Sequence, residues 1–83
     1  MKLAPHPFSL RQLQYAVAVA DARSFSEAAW RCRVSQPSLS AQIAQLEDAL
    51  GTRLFERDRR RVLLTTAGEQ IVARARVVLR EVD

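Results

Sequence analysis

A chain of 83 residues with a formal net charge of +4 is long enough for one small domain and basic enough to favour polyanionic partners. Twelve of its 13 basic residues are arginine, whose planar guanidinium pairs with phosphate better than an ammonium group does. A single cysteine, Cys32, excludes an internal disulfide and cannot form a zinc site alone, and no apolar run approaches the roughly 20 residues of a membrane span. We therefore predict a cytoplasmic protein with no membrane association, metal or cofactor.

The residue types that catalysis needs are also poorly placed. The only histidine, His6, lies between two prolines in a segment without periodicity, and we interpret residues 1–8 as a flexible N-terminal extension. Cys32 falls on the apolar side of a short predicted helix, where we expect a small buried hydrophobe rather than a reactive thiol. Without a nucleophile beside a base, or a paired acid and base, we predict that the chain is not an enzyme.

Two helices are predicted in the first half of the chain, each opened by a capping box. Ser9 and Gln12 have the first S-x-x-Q spacing, Phe8 can pack against the helix that follows, and the period predicts a helix to about Ala22. Its inward stripe is predicted to be Leu13, Ala16, Val17 and Ala20, with Arg11, Gln12 and Gln14 at or near the surface. Ser24 and Glu27 form the second box, and the helix from Phe25 to Arg33 places Phe25, Ala28, Ala29 and Cys32 on one side.

A turn of three to four residues leads into the third predicted helix, a spacing typical of helix-turn-helix units although the turn lacks glycine. Ser35 can cap this helix, Pro37 fits its first turn, and Gly51 can end it in a left-handed conformation after Leu50. The buried stripe is predicted to be Leu39, Ile43, Leu46 and Leu50. The opposite face carries Gln36, Ser38, Ser40, Ala41 and Gln45 and has no charge before Glu47 and Asp48, so it can meet the edges of bases.

Two short apolar runs, Leu54-Phe55 and Val62 to Leu64, flank a charged segment at residues 56–61 and predict a two-stranded hairpin with a basic tip. A charged hairpin tip is ordinarily only solvated, but the basic character of the whole chain favours a role in binding. Thr65 or Thr66 caps a last helix, the second of them with Glu69 at capping-box spacing. Its apolar stripe is wide, and we expect the part from Ala75 onward to pack on a second copy of the chain. The stripe comprises Ile71, Val72, Ala75, Val78, Leu79 and Val82.

Six short motifs, taken in order, carry a resemblance to a known family. They are L-R-Q-L from Leu10, S-F-S-E-A-A from Ser24, V-S-Q-P-S-L-S from Val34, Q-L-E-D-A-L-G from Gln45, L-F-E-R from Leu54 and L-T-T-A-G from Leu64. Together they resemble the DNA-binding domain of LysR-type bacterial transcription regulators over residues 9–83. The segment from Arg31 to Ser40 and the late residues 78–82 are similar to the peroxide-sensing OxyR branch of that family.

The resemblance implies a mainly α fold: a winged helix-turn-helix with three helices and a two-stranded hairpin wing over residues 9–64, then a linker or dimerisation helix over residues 65–83. It also implies a C-terminal effector-binding domain beyond this chain, to which an effector ligand and the sensing cysteines of the OxyR branch would belong. The intact regulator would be a homodimer through the linker helix or a tetramer. The function implied is sequence-specific binding of double-stranded promoter or operator DNA.

Within that expectation, the third helix enters the major groove and its first turns read bases. Gln36 can bond adenine N6 and N7 together, Ser40 can donate or accept, and Pro37 and Ala41 suit a thymine methyl group. The base-reading set is Gln36, Pro37, Ser38, Ser40 and Ala41. Because no arginine lies on this face to bind guanine, we expect a bias toward A·T pairs. The resemblance implies that relatives carry a larger polar or basic residue where this chain has Ala41, so one base contact would be missing.

Phosphate contacts are assigned to residues around the turn and in the wing. They are Ser24, Arg31, Arg33, Ser35, Arg57 and Arg60, of which Arg60 is also a candidate for the adjacent minor groove. The dimer helix is expected to contact its copy through Ile71, Ala75, Val78, Leu79 and Val82, so that the dimer reads an interrupted palindrome. Two alternatives stay open: these polar side chains can simply face water, and the chain can be an architectural module that binds DNA without regard to sequence.

Overall fold

The structure, a computed structural model, describes residues 7–57 and 61–82, with the side chain of Arg57 left out. Four helices and a two-stranded hairpin follow one another along this part of the chain. The helices are α1 (Leu10–Ala22), α2 (Phe25–Cys32), α3 (Gln36–Leu50) and α4 (Thr66–Val82), and the strands are β1 (Phe55–Arg57) and β2 (Val62–Leu64). The predicted mainly helical fold is confirmed. Among the described residues, no helix combines the length and the apolarity that a bilayer crossing would need.

Helix α1 begins at the predicted capping box. The Gln12 N–H donates to Ser9 Oγ at 3.1 Å, and the Ser9 N–H donates to Gln12 Oε1 at 3.0 Å. The predicted inward stripe was partly wrong, because Tyr15 and Val19 are buried whereas Val17 and Ala20 are only half-buried. Gln12 is also buried, which corrects its predicted position near the surface. A hydrogen-bonded carboxamide can be buried at little cost, so the pattern of apolar residues does not reveal it.

Helix α2 is capped by Ser24, whose Oγ accepts the Glu27 N–H at 3.1 Å. Only this half of the predicted second capping box forms, since the Glu27 carboxylate faces Arg31, with 3.4 Å between Oε1 and Nε. Ala28 and Ala29 are buried, whereas Phe25 and Cys32 are half-buried against the same core, so Cys32 is less buried than the sequence predicts. Small side chains allow α1 and α3 to approach α2 closely, as the two alanines predict.

Helix α3 keeps its predicted ends, with Ser35 as N-cap and Gly51 in the left-handed conformation at φ 70°. Leu39, Ile43 and Leu46 are fully buried and form the centre of the core. Glu47 was expected among the outward residues, but it is 6% exposed. Its Oε2 accepts the Leu54 N–H at 2.7 Å and the Phe55 N–H at 3.4 Å, so the carboxylate ties α3 to the start of the wing.

The predicted hairpin is confirmed, with β1 antiparallel to β2 and Phe55 opposite Leu64. Strand β1 starts after Leu54 and includes Glu56 and Arg57, which were assigned to the tip. Leu54 instead lies in the core, where Phe55 meets Phe25 edge-on with 6.0 Å between ring centroids. Residues 58–60 of the predicted basic tip lie outside the described ranges. The wing is therefore attached to the helical core through Leu54 and Phe55, and Val62 and Leu64 of β2 also pack against that core.

Of the two candidate caps for α4, Thr65 is the cap, since its Oγ1 accepts the Gly68 N–H at 2.8 Å and Thr66 is already helical. The same Oγ1 donates to the Arg53 carbonyl at 2.6 Å, and the Thr65 N–H donates to the Leu54 carbonyl at 3.0 Å. These bonds hold the first turn of α4 against the chain that enters the wing. Gly68 is buried at this contact, where the backbone of Leu54 leaves no room for a side chain.

Candidate nucleic-acid interface

The start of α3 presents the uncharged polar face that the sequence predicts. Gln36, Pro37, Ser38 and Ala41 are exposed, whereas Ser40 is half-buried on the edge of the helix. Ser35 Oγ accepts the Ser38 N–H at 3.2 Å and so closes the first turn. Leu39, Ile43 and Leu46 of the opposite stripe are fully buried and Leu50 is half-buried, which fixes the rotation of α3 about its own axis. The five predicted base-reading residues thus lie at one end of one helix, with Gln36 at its tip.

The turn before α3 sets the direction of that helix. Arg33 adopts the left-handed conformation at φ 60°, taking the place of the glycine that many such turns contain. The Arg33 N–H donates to the Trp30 carbonyl at 3.2 Å and the Val34 N–H donates to the Ala29 carbonyl at 3.0 Å, so the last carbonyls of α2 are satisfied. Because these bonds close the turn tightly, the Arg33 side chain is held at the surface beside the start of α3.

The predicted phosphate-binding residues are only partly assembled by the described chain. Arg31 at the end of α2 and Arg33 in the turn are both exposed, although Arg31 pairs with Glu27. The Ser24 hydroxyl is half-buried and is shared between the Glu27 N–H and Ser26 Oγ, so its first role is to cap α2. Arg60 and the side chain of Arg57 lie outside the described residues. The wing contacts therefore remain predictions from the sequence.

Arginine at a left-handed position offers a way to separate folding from binding. We expect Arg33→Gly to raise the free energy of unfolding by about 1 kcal/mol, because glycine carries no steric penalty at this φ. The same variant should bind DNA more weakly and reduce the salt dependence of binding by about one counterion. Urea unfolding followed by circular dichroism, and DNA titrations at several salt concentrations, measure the two effects.

Arg23 provides a matched control for the backbone effect. It ends α1 at φ 54° and is exposed, so Arg23→Gly should stabilise the fold by a similar amount. An unchanged salt dependence of DNA binding for Arg33→Gly would show that Arg33 faces water and contacts no phosphate.

Three features of this surface were missed by sequence reasoning. The Gln12 side chain reaches across to α3, where Nε2 donates to Gln42 Oε1 at 3.0 Å and to Gln45 Oε1 at 3.5 Å. Trp30 is 78% exposed near the end of α2, the helix that precedes α3. Glu47 anchors the wing, as described above. The capping box indicated where Gln12 lies, but no local signal identifies a partner 30 residues away.

The dimer prediction depends on the exposure of the apolar residues of α4. Val78 is 41% exposed and Val82 is 59% exposed, whereas Leu79 and Ile71 are half-buried. Ala75 is only 2% exposed and belongs to the core of this chain, which corrects its assignment to the outward part of the stripe. An apolar groove runs between the start of α1, the end of α3 and α4. It is lined by Phe8, Leu10, Leu13, Leu50, Ile71 and Val78, among others.

An ion pair holds α4 against α1 on another side. Arg76 donates to Asp21 Oδ1 at 2.6 Å, and both side chains are nearly half exposed. The hydrogen bond raises the pKa of Arg76 above its ordinary value, which already keeps the guanidinium charged at physiological pH. At this exposure the pair contributes little to stability.

Three helices, a two-stranded hairpin wing and a further helix, α4, form the winged helix-turn-helix arrangement of a class of DNA-binding regulators. The family model for the bacterial regulatory helix-turn-helix protein, lysR family, matches residues 10–69, and the chain belongs to that family.

Relatives within the family support the resemblance to OxyR. The chain is 55% identical over 74 residues to the DNA-binding transcriptional dual regulator OxyR of Escherichia coli (strain K12), covering 89% of this chain and 24% of that protein. A full-length OxyR structure from Pseudomonas aeruginosa has 47% identity and a TM-score of 0.87, covering 90% of this chain and 25% of that one. The chain thus spans about a quarter of the length of these relatives.

A solved complex of a related domain with DNA aligns over most of both chains. The structure of the CbnR DNA-binding domain with DNA is 41% identical, with a TM-score of 0.87, and the alignment covers 90% of this chain and 86% of that one. The match therefore extends over almost the whole of a domain that was solved on DNA.

Proposed function

We propose that the chain is the sequence-specific, double-stranded DNA-binding domain of a bacterial LysR-type transcription regulator. One observation carries the proposal: the exposed face at the start of α3 is uncharged and polar, in a chain of net charge +4 with exposed arginines at the turn that precedes α3. Uncharged polar groups suit base edges, and arginine suits the phosphates on either side. The likeness to a family domain solved on DNA agrees with these two kinds of contact.

The first turns of α3 are proposed to enter the major groove. Gln36 offers the one carboxamide at the helix tip and reads adenine, while Pro37 and Ala41 face thymine methyl groups. Ser38 and Ser40 donate or accept at neighbouring edges. Because this face lacks arginine, the preferred half-site is rich in A·T pairs.

Phosphate contacts position this helix without reading sequence. Arg31, Arg33 and the cap residues Ser24 and Ser35 contribute them near the turn, where the N-terminal end of α3 also favours anions. The wing adds Arg57 and Arg60, with Arg60 directed to the minor groove.

Two copies of the chain are proposed to join through α4 and bind an interrupted palindrome. The exposed valines of α4 and the apolar groove beside it supply the surface that a second copy would cover. Half-sites are then expected about one helical turn, or a multiple of it, apart. In the intact cytoplasmic regulator, a further domain would bind the effector and the assembly would reach a dimer or tetramer. A peroxide signal, by analogy with the OxyR relatives, would act there.

Selection of bound duplexes from a random pool tests the proposal. A palindromic consensus rich in A·T supports it, provided that excess random duplex does not displace the selected site at physiological salt. Recovery of no consensus, with equal binding to all duplexes, would favour the architectural alternative instead.

The proposed base contact of Gln36 can be tested by substitution. Gln36→Ala should cost about 1 to 3 kcal/mol of affinity for the selected site and relax preference at one base pair, because its bidentate contact is lost. Affinity for random DNA should change little. Equal losses on selected and random duplexes would show that Gln36 makes no base-specific contact.

A further inference from the structure

Gln12 is one of the buried polar residues of this chain, with 7% of its surface exposed. It lies in the first turn of α1 and yet bonds to two glutamines in the middle of α3, Gln42 and Gln45. A carboxamide that only capped α1 would have no need to be buried against another helix. Its position therefore links the start of α1 to the flank of the recognition helix.

The direction of this link follows from hydrogen-bond chemistry. The Ser9 N–H can only donate, so the oxygen of Gln12 must face it, at the observed 3.0 Å. The Gln12 NH2 group is then directed at α3, and its two hydrogens can only be accepted by oxygen. Gln42 consequently turns its own carbonyl oxygen inward, as does Gln45 at a longer distance, and both direct their NH2 groups away from Gln12.

Gln42 and Gln45 lie beside the exposed polar face of α3, where a molecule bound to that face could contact them. Gln42 lies one turn after Ser38, and Gln45 lies one turn after Ala41, both of which are exposed. Gln45 is exposed, and Gln42 is half-buried at the edge facing α1. The polar face of α3 thus continues beyond the base-reading turns as a pair of carboxamides with a fixed orientation.

We propose that Gln12 is a positioning residue that fixes Gln42 and Gln45 as hydrogen-bond donors toward acceptor atoms of the bound DNA. The inference rests on the proposed function and deepens it. The acceptors are either base-edge atoms, such as guanine N7 and O6 or thymine O4, or phosphate oxygens. Gln12 itself touches no DNA, and it decides which end of each carboxamide is presented.

Gln12→Glu reverses the orientation without removing the cap. A glutamate still accepts the Ser9 N–H, as in the common form of the capping box, so the variant should fold. Its second oxygen can only accept, and the amides of Gln42 and Gln45 must turn their NH2 groups inward and present oxygen to the DNA. Gln14→Glu is the matched control, because it adds the same charge at an exposed position of the same helix.

On the duplex selected by the wild-type chain, we expect Gln12→Glu to bind about tenfold more weakly than Gln14→Glu. Selection from random DNA separates the two kinds of acceptor. A base contact changes the preferred base at one or two positions, whereas a phosphate contact lowers affinity equally for all sequences. Thermal unfolding monitored by circular dichroism verifies that both variants fold.

Gln42→Ala keeps the test valid if Gln12→Glu fails to fold, since it removes the principal donor and leaves α1 intact. It should lose a similar factor on the selected duplex, and in its background Gln12→Glu should cost little more than Gln14→Glu. Equal affinities and consensus sequences for Gln12→Glu and Gln14→Glu, or unchanged binding by Gln42→Ala, would overturn the positioning role. A wild-type chain that binds no DNA would overturn the proposed function as well.

Discussion

Alanine at Gly68 is expected to lower the free energy of unfolding by about 3 kcal/mol, because its Cβ would overlap the backbone of Leu54. A Cβ built at Gly68 lies 2.0 Å from the Leu54 carbonyl oxygen and 2.8 Å from the carbonyl carbon. Neither atom belongs to a flexible side chain that could rotate away. The first turn of α4 must therefore separate from the segment that enters the wing.

The backbone of Leu54 is hydrogen-bonded at both its N–H and its carbonyl, so it cannot easily move to relieve the clash. The Leu54 N–H is held by Glu47 Oε2 at 2.7 Å, and its carbonyl accepts the Thr65 N–H at 3.0 Å. Moving Leu54 would break one of these bonds and leave a buried polar group unsatisfied. The clash would thus disturb the wing and the direction of α4 together, so DNA affinity should fall with stability.

Urea unfolding followed by circular dichroism measures the loss. Gly51→Ala is a useful comparison, since Gly51 has φ 70° but a Cβ there meets nothing within 4 Å. That variant should lose only about 1 kcal/mol, the cost of a left-handed alanine. If both variants lost the same amount, the penalty at Gly68 would come from backbone conformation or entropy rather than from the contact with Leu54.

Glutamate at Val78 is expected to convert the proposed dimer into a monomer and to lower affinity for a two-half-site duplex about a hundredfold. Val78 lines the apolar groove beside α1 and is 41% exposed in the single chain. In a dimer through α4, a second copy would cover it, and each copy would then bury an unpaired carboxylate. Affinity for a single half-site should stay the same, because Val78 lines the groove at the end of α3, whereas the proposed base-reading residues are in its first turns.

Sedimentation and DNA titrations measure the two parts of this expectation. Ala73→Glu is the matched control, since Ala73 is exposed and lies on the opposite side of α4 from Val78. It adds the same charge and should leave both assembly and affinity nearly intact. A Val78→Glu chain that still sediments as a dimer would show that another surface joins the copies.

The residues around the candidate site are of two kinds, those whose role is local in the chain and those whose role depends on a distant segment. Ser9, Ser35 and Gly51 act within one turn of their own helix, and their patterns predicted where α1 starts and where α3 starts and ends. The uncharged face of α3 was equally predictable, since a helical period fixes which residues share a face. Which of Thr65 and Thr66 caps α4 was not predictable, because the cap is the residue whose hydroxyl also reaches the Arg53 carbonyl.

By itself, the sequence determined the helices, the hairpin, the family and the exposed polar start of α3, because capping, periodicity and turn chemistry act between residues close together in the chain. The tertiary structure alone decided that Glu47 and Gln12 are buried and that Gly68 lies against Leu54. Each depends on a hydrogen bond or a backbone approach between segments that only folding brings together. A charged or polar side chain is predicted at the surface until a distant partner satisfies its hydrogen bonds.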